Sequence, residues 1–188
     1  MMKNFQFSIF NFQRDLPRSK RSFASGFTII ETLIAISILV LAVTGAFSAA
    51  HNGMTSALFS KDQITAFYLA QEGIEQIRNL RDRNGLQGVG WMNGIANAGD
   101  PCQFSSTCYV DAVNTTHLIA CSGTCPNLRI NTNGFYSYDS GTESKFRREV
   151  VMTEVVTNQE IEVKSTIYWS KGLINRSFTA TERLFNWQ

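Results

Sequence analysis

The sequence predicts an α+β protein in which a long N-terminal helix packs on a C-terminal antiparallel sheet of three or more strands. Three patterns support this fold class: an apolar run over residues 27–50, helical spacing of apolar residues over 66–83, and two-residue alternation over 160–169. The 188 residues leave room for one head domain besides the helix. A hydrophobic content of 44% with only three prolines argues against a disordered chain.

Charge is distributed unevenly along the chain. Residues 1–26 carry five basic side chains against the single Asp15, a net charge of +4, whereas the remaining twelve basic and fourteen acidic residues give −2. The overall charge of +2 is too small to indicate a nucleic-acid binder by bulk electrostatics. A basic leader before a long apolar run is typical of a segment that the export machinery reads, with its positive end on the cytoplasmic side.

The apolar run over residues 27–50 contains 24 residues and one charge, Glu31. As a helix it would span about 36 Å, enough to cross a hydrocarbon core about 30 Å thick. It is longer than the apolar core of about 7–15 residues in a secretory signal. An uncleaved signal anchor, or a secretory signal cut near Ala49 or Ala50, would also explain the hydrophobicity, but neither explains the carboxylate.

Glu31 is the residue that separates these interpretations. A carboxylate inside a membrane helix costs about 2.5–3.5 kcal/mol on insertion scales, so it usually has a partner and a function. A cut between Gly26 and Phe27 would create an α-amino group four residues before Glu31, one helical turn away. It would also place the carboxylate in the first turn of a helix, where the macrodipole favours negative charge.

The segment GFTIIE at residues 26–31, with a basic leader before it and about twenty apolar residues after it, resembles the type III signal of type IV prepilins and type II secretion pseudopilins. The resemblance implies that prepilin peptidase, a membrane aspartyl peptidase, removes the leader by cutting after Gly26. It further implies that the new amino group of Phe27 is methylated. By the same resemblance, Glu31 recognises the N-terminus of a neighbouring subunit during assembly.

The resemblance also implies a location and partners. The chain would be held in a bacterial inner membrane by its single N-terminal helix, with the head outside the cytoplasm. It would then join other pilin or pseudopilin subunits in a periplasmic or extracellular filament, with the apolar helix as filament core. Many pilins carry a helix-breaking glycine and proline within this helix, whereas this chain has Gly45 and Gly53 but no proline there, which favours a minor subunit.

An amphipathic continuation of the helix is predicted over residues 51–83, because no proline lies between Pro17 and Pro101. Asn84 and Gly85 form a plausible C-terminal stop. Apolar residues at helical spacing predict the face that packs on the sheet: Phe67, Ala70, Ile74, Ile77 and Leu80.

Residues 84–145 are predicted to be a loop region, because Gly, Asn, Ser and Thr are frequent and apolar residues show no period. The region holds all four cysteines, Cys102, Cys108, Cys121 and Cys125. In an exported domain they predict two disulfides with three possible pairings, of which the nested one, with Cys102 joined to Cys125, fits the symmetry of the spacing. A four-cysteine zinc site is the alternative, but the C-x5-C spacing fits it poorly, so no metal or other cofactor is predicted.

The last part of the chain, residues 146–188, is predicted to be an antiparallel meander. Alternation over 160–169 indicates a central strand with one wet face, and β-branched and aromatic residues mark flanking strands over 146–156 and 176–185. The FRREV start, the central strand ending in Tyr-Trp and the final LFNW are similar to minor pilins of the PilV kind and to the I-type pseudopilins.

No catalytic constellation is visible, because His51 and His117 have no acid or nucleophile near them in a recognisable pattern. The leading hypothesis is therefore a non-enzymatic structural subunit, a minor pilin or pseudopilin of a pilus, secretion or competence filament. An anchored, disulfide-stabilised enzyme is the least favoured alternative.

A second hypothesis is a binding subunit at the filament tip, for adhesion or for DNA. Four basic and aromatic side chains could form a small patch for an anionic ligand, although such charges more often belong to a solvated face. The residues are Tyr138, Lys145, Arg147 and Arg148.

Overall fold

The computed structural model describes residues 26–113 and 118–186, so that the predicted leader up to residue 25, His117 and the last two residues lie outside the described residues. By its internal contacts the chain divides into Met1–Ala50 and His51–Gln188, and we call the second unit the head. The described residues form one helix and seven strands, in this order: α1 Ile29–Leu86, β1 Thr107–Val110, β2 Leu118–Ala120, β3 Asn127–Ile130, β4 Tyr136–Ser137, β5 Thr142–Val156, β6 Glu160–Lys171 and β7 Ile174–Phe185.

The predicted fold class is confirmed: one long helix packs on an antiparallel sheet. The meander is also as predicted, since β5, β6 and β7 pair in sequence. On its other edge β5 pairs first with β3, through Arg147 and Asn127, and then with β1, through Val150 and Cys108. β2 extends the sheet beyond β1, and β4 extends it beyond β3.

The prediction that residues 84–145 are loop is wrong in part. Four short strands, β1 to β4, lie within this region, and β5 already begins at Thr142. Each of the four has two to four residues, too few to show a two-residue period. They are strands because the long β5 and their neighbours supply partners for their backbone groups, which is information from tertiary structure.

The predicted helix stop at Asn84 and Gly85 is also wrong, because α1 continues to Leu86. The chain leaves the helix through Gly88, whose φ of 68° lies in the left-handed region that favours glycine. Asn84 instead holds the next loop: its buried side-chain amide donates to the carbonyl oxygens of Trp91 and Asn93, at 3.2 and 2.8 Å.

The face of α1 that packs on the sheet differs from the predicted face at its first and last residues, Phe67 and Leu80. Phe67 is 39% exposed and meets Phe178 edge-on at the border of the face, and Leu80 is only partly buried. The buried positions also include alanine and glycine, to which the helical spacing of large apolar residues gives little weight. Because these side chains are small, the helix can lie close to the sheet. The buried residues of the face are Ala66, Leu69, Ala70, Gly73, Ile74 and Ile77.

At Gly73 the helix lies so close to the sheet that there is little room for a side chain. A Cβ atom at this position would lie 2.9 Å from Ser165 Oγ and 3.0 Å from Arg148 Cδ. On the C-terminal side of Gly73 along the helix, Ile74 and Ile77 form one core with Val150, Met152 and Val163 of the sheet. A second core on the other side of Gly73 joins Leu69 to the side chains of Leu128, Phe146, Ile167 and Trp169.

Two disulfides are present, as the sequence predicts, but the nested pairing is wrong. Cys102 is joined to Cys108, and Cys121 to Cys125. Both Cys102 and Cys108 are fully buried in the core that contains Ile74 and Ile77, where they fix the start of β1 against the loop that precedes it. β1 and β2 are antiparallel and pair Cys108 with Ala120, so Cys121 lies one position further on, where its N–H donates to Thr107 O. Because successive side chains alternate between the two faces of a sheet, the side chains of Cys108 and Cys121 lie on opposite faces, and the nested bond between them does not form.

Candidate functional site

The start of α1 is built by a capping interaction. Thr28 lies just before the first helical residue, and its Oγ1 and carbonyl oxygen accept from the backbone N–H of Glu31, at 3.3 and 3.1 Å. Thr28 and Glu31 have the Thr-x-x-Glu spacing of a capping box, which satisfies N–H groups that have no helical partner. This signal is present in the sequence, but charge and hydropathy patterns alone do not reveal it.

The predicted site residues Gly26, Phe27 and Glu31 therefore lie within about one helical turn of each other along the chain. Gly26 and Phe27 precede the helix and both are exposed, Phe27 at 75%. Glu31 is exposed in the first turn of α1, where the helix dipole favours its negative charge. This arrangement leaves the carboxylate available to a cationic group, whether its own α-amino group or that of another chain.

The helix that follows Glu31 is apolar on all sides as far as Ala50, and no part of the chain that the structure describes covers this surface. Every residue over 26–58 is exposed, including Leu33, Ile38 and Phe47, each at 60% or more. The hydroxyl groups of Ser37 and Thr44 donate to helix carbonyl oxygens at 2.8 Å, so they present no unsatisfied polar group. Within the described residues, α1 is the one helix long and apolar enough to cross a membrane.

The predicted basic patch on the head is wrong in its central member, because Arg148 is completely buried between α1 and the sheet. Its guanidinium donates to Leu69 O at 2.9 Å and Val110 O at 2.6 Å, and it forms an ion pair with Glu72 Oε2 at 2.8 Å. Arg148 thus ties together the helix, β1 and β5. The composition of a strand does not show which of its charged side chains face the core, so the buried Arg148 could not be distinguished from an exposed arginine.

The other members of the patch also have intramolecular partners. Lys145 forms an ion pair with Asp62 at 2.6 Å, and Arg147 forms one with Glu149 at 3.0 Å. Tyr138 is half-buried, and burial raises the pKa of its hydroxyl to about 12, although the Arg148 guanidinium acts in the opposite direction. The four residues therefore do not form one free cationic surface.

His51 is exposed on α1, and within the described ranges no three His, Cys, Asp or Glu side chains are close enough to hold a metal ion. Comparison of the chain with protein-family models, with curated proteins and with solved structures gave no match.

Proposed function

We propose that this chain is a minor pilin or pseudopilin: prepilin peptidase cuts it after Gly26, Phe27 is N-methylated, and the product joins a filament through its apolar helix. The observation that carries the proposal is the GFTIIE segment at the start of a helix whose next 27 residues, through 58, are all exposed. The apolar part of this exposed stretch, residues 32–50, needs lipid around it or neighbouring helices against it. In a filament subunit this surface is buried first by membrane lipid and then, after assembly, by the helices of neighbouring subunits.

The proposal gives the Glu31 carboxylate a role beyond its place in the Thr-x-x-Glu pattern. A capping box accepts Glu or Gln at the third helical position, so capping alone does not require a charge. A charge at this place in an apolar helix is costly unless it meets a cation. We therefore assign Glu31 to an ion pair with the amino group of Phe27 in a neighbouring subunit.

The test compares Glu31→Gln with the wild type in cells that express the filament system. This substitution keeps the capping acceptor and the side-chain length but removes the charge. We expect cleavage after Gly26 to persist and the amount of the subunit in sheared filaments to fall. Methylation of Phe27 is scored separately, because the same carboxylate could affect it.

Glu75→Gln is the matched control, because Glu75 lies on the same helix but in the head, where it forms an exposed pair with Arg78. It should enter filaments as the wild type does. Equal incorporation of Glu31→Gln and the wild type would reject the assembly role of Glu31. A subunit that stays in the membrane fraction with its leader attached would reject the proposed function.

A further inference from the structure

Two loops at one end of the head expose large apolar side chains. The turn between β6 and β7 consists of Gly172 and Leu173, and Leu173 is completely exposed, with Ile174 beside it at 58%. The turn between β3 and β4 exposes Phe135 at 61%. We call residues 172–174 and 131–135 the basal loops.

Both basal loops lie at the end of the sheet where the N-terminal part of the head's helix runs. A cleft of about 350 Å³ is lined by Asn52 and Phe59 of α1 together with Lys171 and Ile174 of the β6–β7 hairpin. The β3–β4 turn shares this end, because Ile130 pairs with both Tyr136 and the first residue of β5.

One wall of this cleft is joined to the end of the apolar run by the chain itself. Asn52 is two residues beyond Ala50 in the chain, so the two Cα atoms are at most about 7 Å apart whatever the orientation of the two units. If the apolar run crosses a bilayer, Asn52 and the cleft wall to which it belongs follow directly in the chain after the membrane-spanning segment.

The charge of the hairpin suits an anionic lipid surface. Between Ser170 and Ser177 the chain carries Lys171 and Arg176 and no carboxylate. Both side chains are exposed, and Arg176 is held in place over the ring of Phe59, 4.5 Å from its centroid. An apolar tip flanked by cations is the arrangement with which peripheral segments enter the boundary between headgroups and acyl chains.

We propose that the basal loops are a second membrane contact: Leu173 enters the headgroup and acyl boundary of the bilayer that holds the apolar helix, and Lys171 and Arg176 meet anionic headgroups. This inference rests on the membrane-anchored stage of the proposed function. The contact fixes the head against the membrane surface before assembly and is released when the subunit leaves the bilayer. The partner is a lipid surface, so it requires no other protein.

The experiment uses the full-length protein in vesicles of phosphatidylcholine and phosphatidylglycerol, with or without brominated acyl chains that quench tryptophan fluorescence. Leu173→Trp places a reporter at the tip. Leu86→Trp is the matched control, because Leu86 is 88% exposed and ends the helix at the other end of the head. Wild-type fluorescence is subtracted, so that only the added tryptophan is scored.

We expect the added fluorescence of Leu173→Trp to be lost in brominated vesicles and that of Leu86→Trp to be retained. Phe135→Trp, an independent reporter in the other basal loop, should also be quenched. Adding Lys171→Glu to Leu173→Trp should reduce the quenching in vesicles with phosphatidylglycerol more than in pure phosphatidylcholine.

Carbonate extraction of the same vesicles separates the two ways to fail. If the protein resists extraction but Leu173→Trp is quenched no more than Leu86→Trp, the inference is overturned and the proposed function stands. If carbonate releases the protein, the helix does not span the bilayer, and the membrane stage of the proposed function falls together with this inference.

Discussion

Breaking the buried pair of Arg148 and Glu72 should destabilise the head through the charge that remains. Glu72→Ala removes the carboxylate 2.8 Å from the guanidinium and leaves Arg148, which has no solvent exposure, with only the carbonyl oxygens of Leu69 and Val110. Arg148→Met removes the charge itself and keeps an apolar stem of similar length. The two substitutions should therefore interact strongly.

The magnitude follows from the exposure of the two partners. Removing one member of a buried ion pair costs about 3–5 kcal/mol when both members are buried. The side chain of Glu72 is 38% exposed, so water can replace part of its contact, and we expect a loss nearer the value of one charge-assisted hydrogen bond, about 2 kcal/mol. In the Arg148→Met background no buried charge is left, so Glu72→Ala should cost less than about 0.5 kcal/mol.

The wild type, the two single variants and the double variant form a double-mutant cycle. The free energy of unfolding of each is measured by urea titration of the full-length protein in detergent, followed by tryptophan fluorescence with the disulfides intact. A loss of about 2 kcal/mol corresponds to a Tm lower by roughly 4–8 °C for a domain of this size. Arg183→Ala is the control, because its pair with Glu160 is 57% exposed on the arginine side and should be worth about 1 kcal/mol or less. An equal cost of Glu72→Ala in both backgrounds would refute the reasoning.

Three further predictions concern the head. Gly73→Ala should destabilise it by about 1 kcal/mol net, since crowding costs about 1–3 and helix propensity returns about 1. Ser165→Ala removes the oxygen 2.9 Å from the new methyl group but leaves Arg148 Cδ at 3.0 Å, so it should recover part of the lost urea midpoint. Burial raises the pKa of Tyr138 to about 12, so the unfolded state loses the tyrosine proton at a lower pH than the folded state. The resulting contribution to the free energy of unfolding is complete below pH 10 and is lost as the pH rises from 10 to 12. In melting curves recorded over this pH range, Tyr138→Phe should lack this pH-dependent loss of stability. Thiol counting on the denatured, unreduced protein should find no free cysteine. Cleavage before Asp111 should then give fragments with separate disulfides in unreduced mass spectra, whereas a cross-link between them would contradict the pairing.

The parts of the fold that the sequence predicted are those with a sustained period. The apolar run, the helical spacing before Leu80 and the alternation in β6 each cover many residues, so a single misplaced side chain does not hide them. The long pairing of β6 with β5 on one side and with β7 on the other follows from the same alternation and from short turns.

The parts that the sequence did not predict depend on partners distant in the chain. The strands β1 to β4 exist through pairing with β5, and the short-range disulfides follow from where β1 and β2 lie. Arg148 is buried because Leu69, Glu72 and Val110 meet around it, and these residues come from two other elements. The capping role of Thr28 was a local signal and was available in the sequence.

The measurement that most directly tests the central proposal is the intact mass of the mature protein from cells, together with its N-terminal sequence. We predict a chain that begins at Phe27, carries one added methyl group on its amino nitrogen and retains residues 27–50. A chain that begins at Met1, or one cut near Ala50, would contradict the proposal that this protein is processed and assembled as a pilin or pseudopilin.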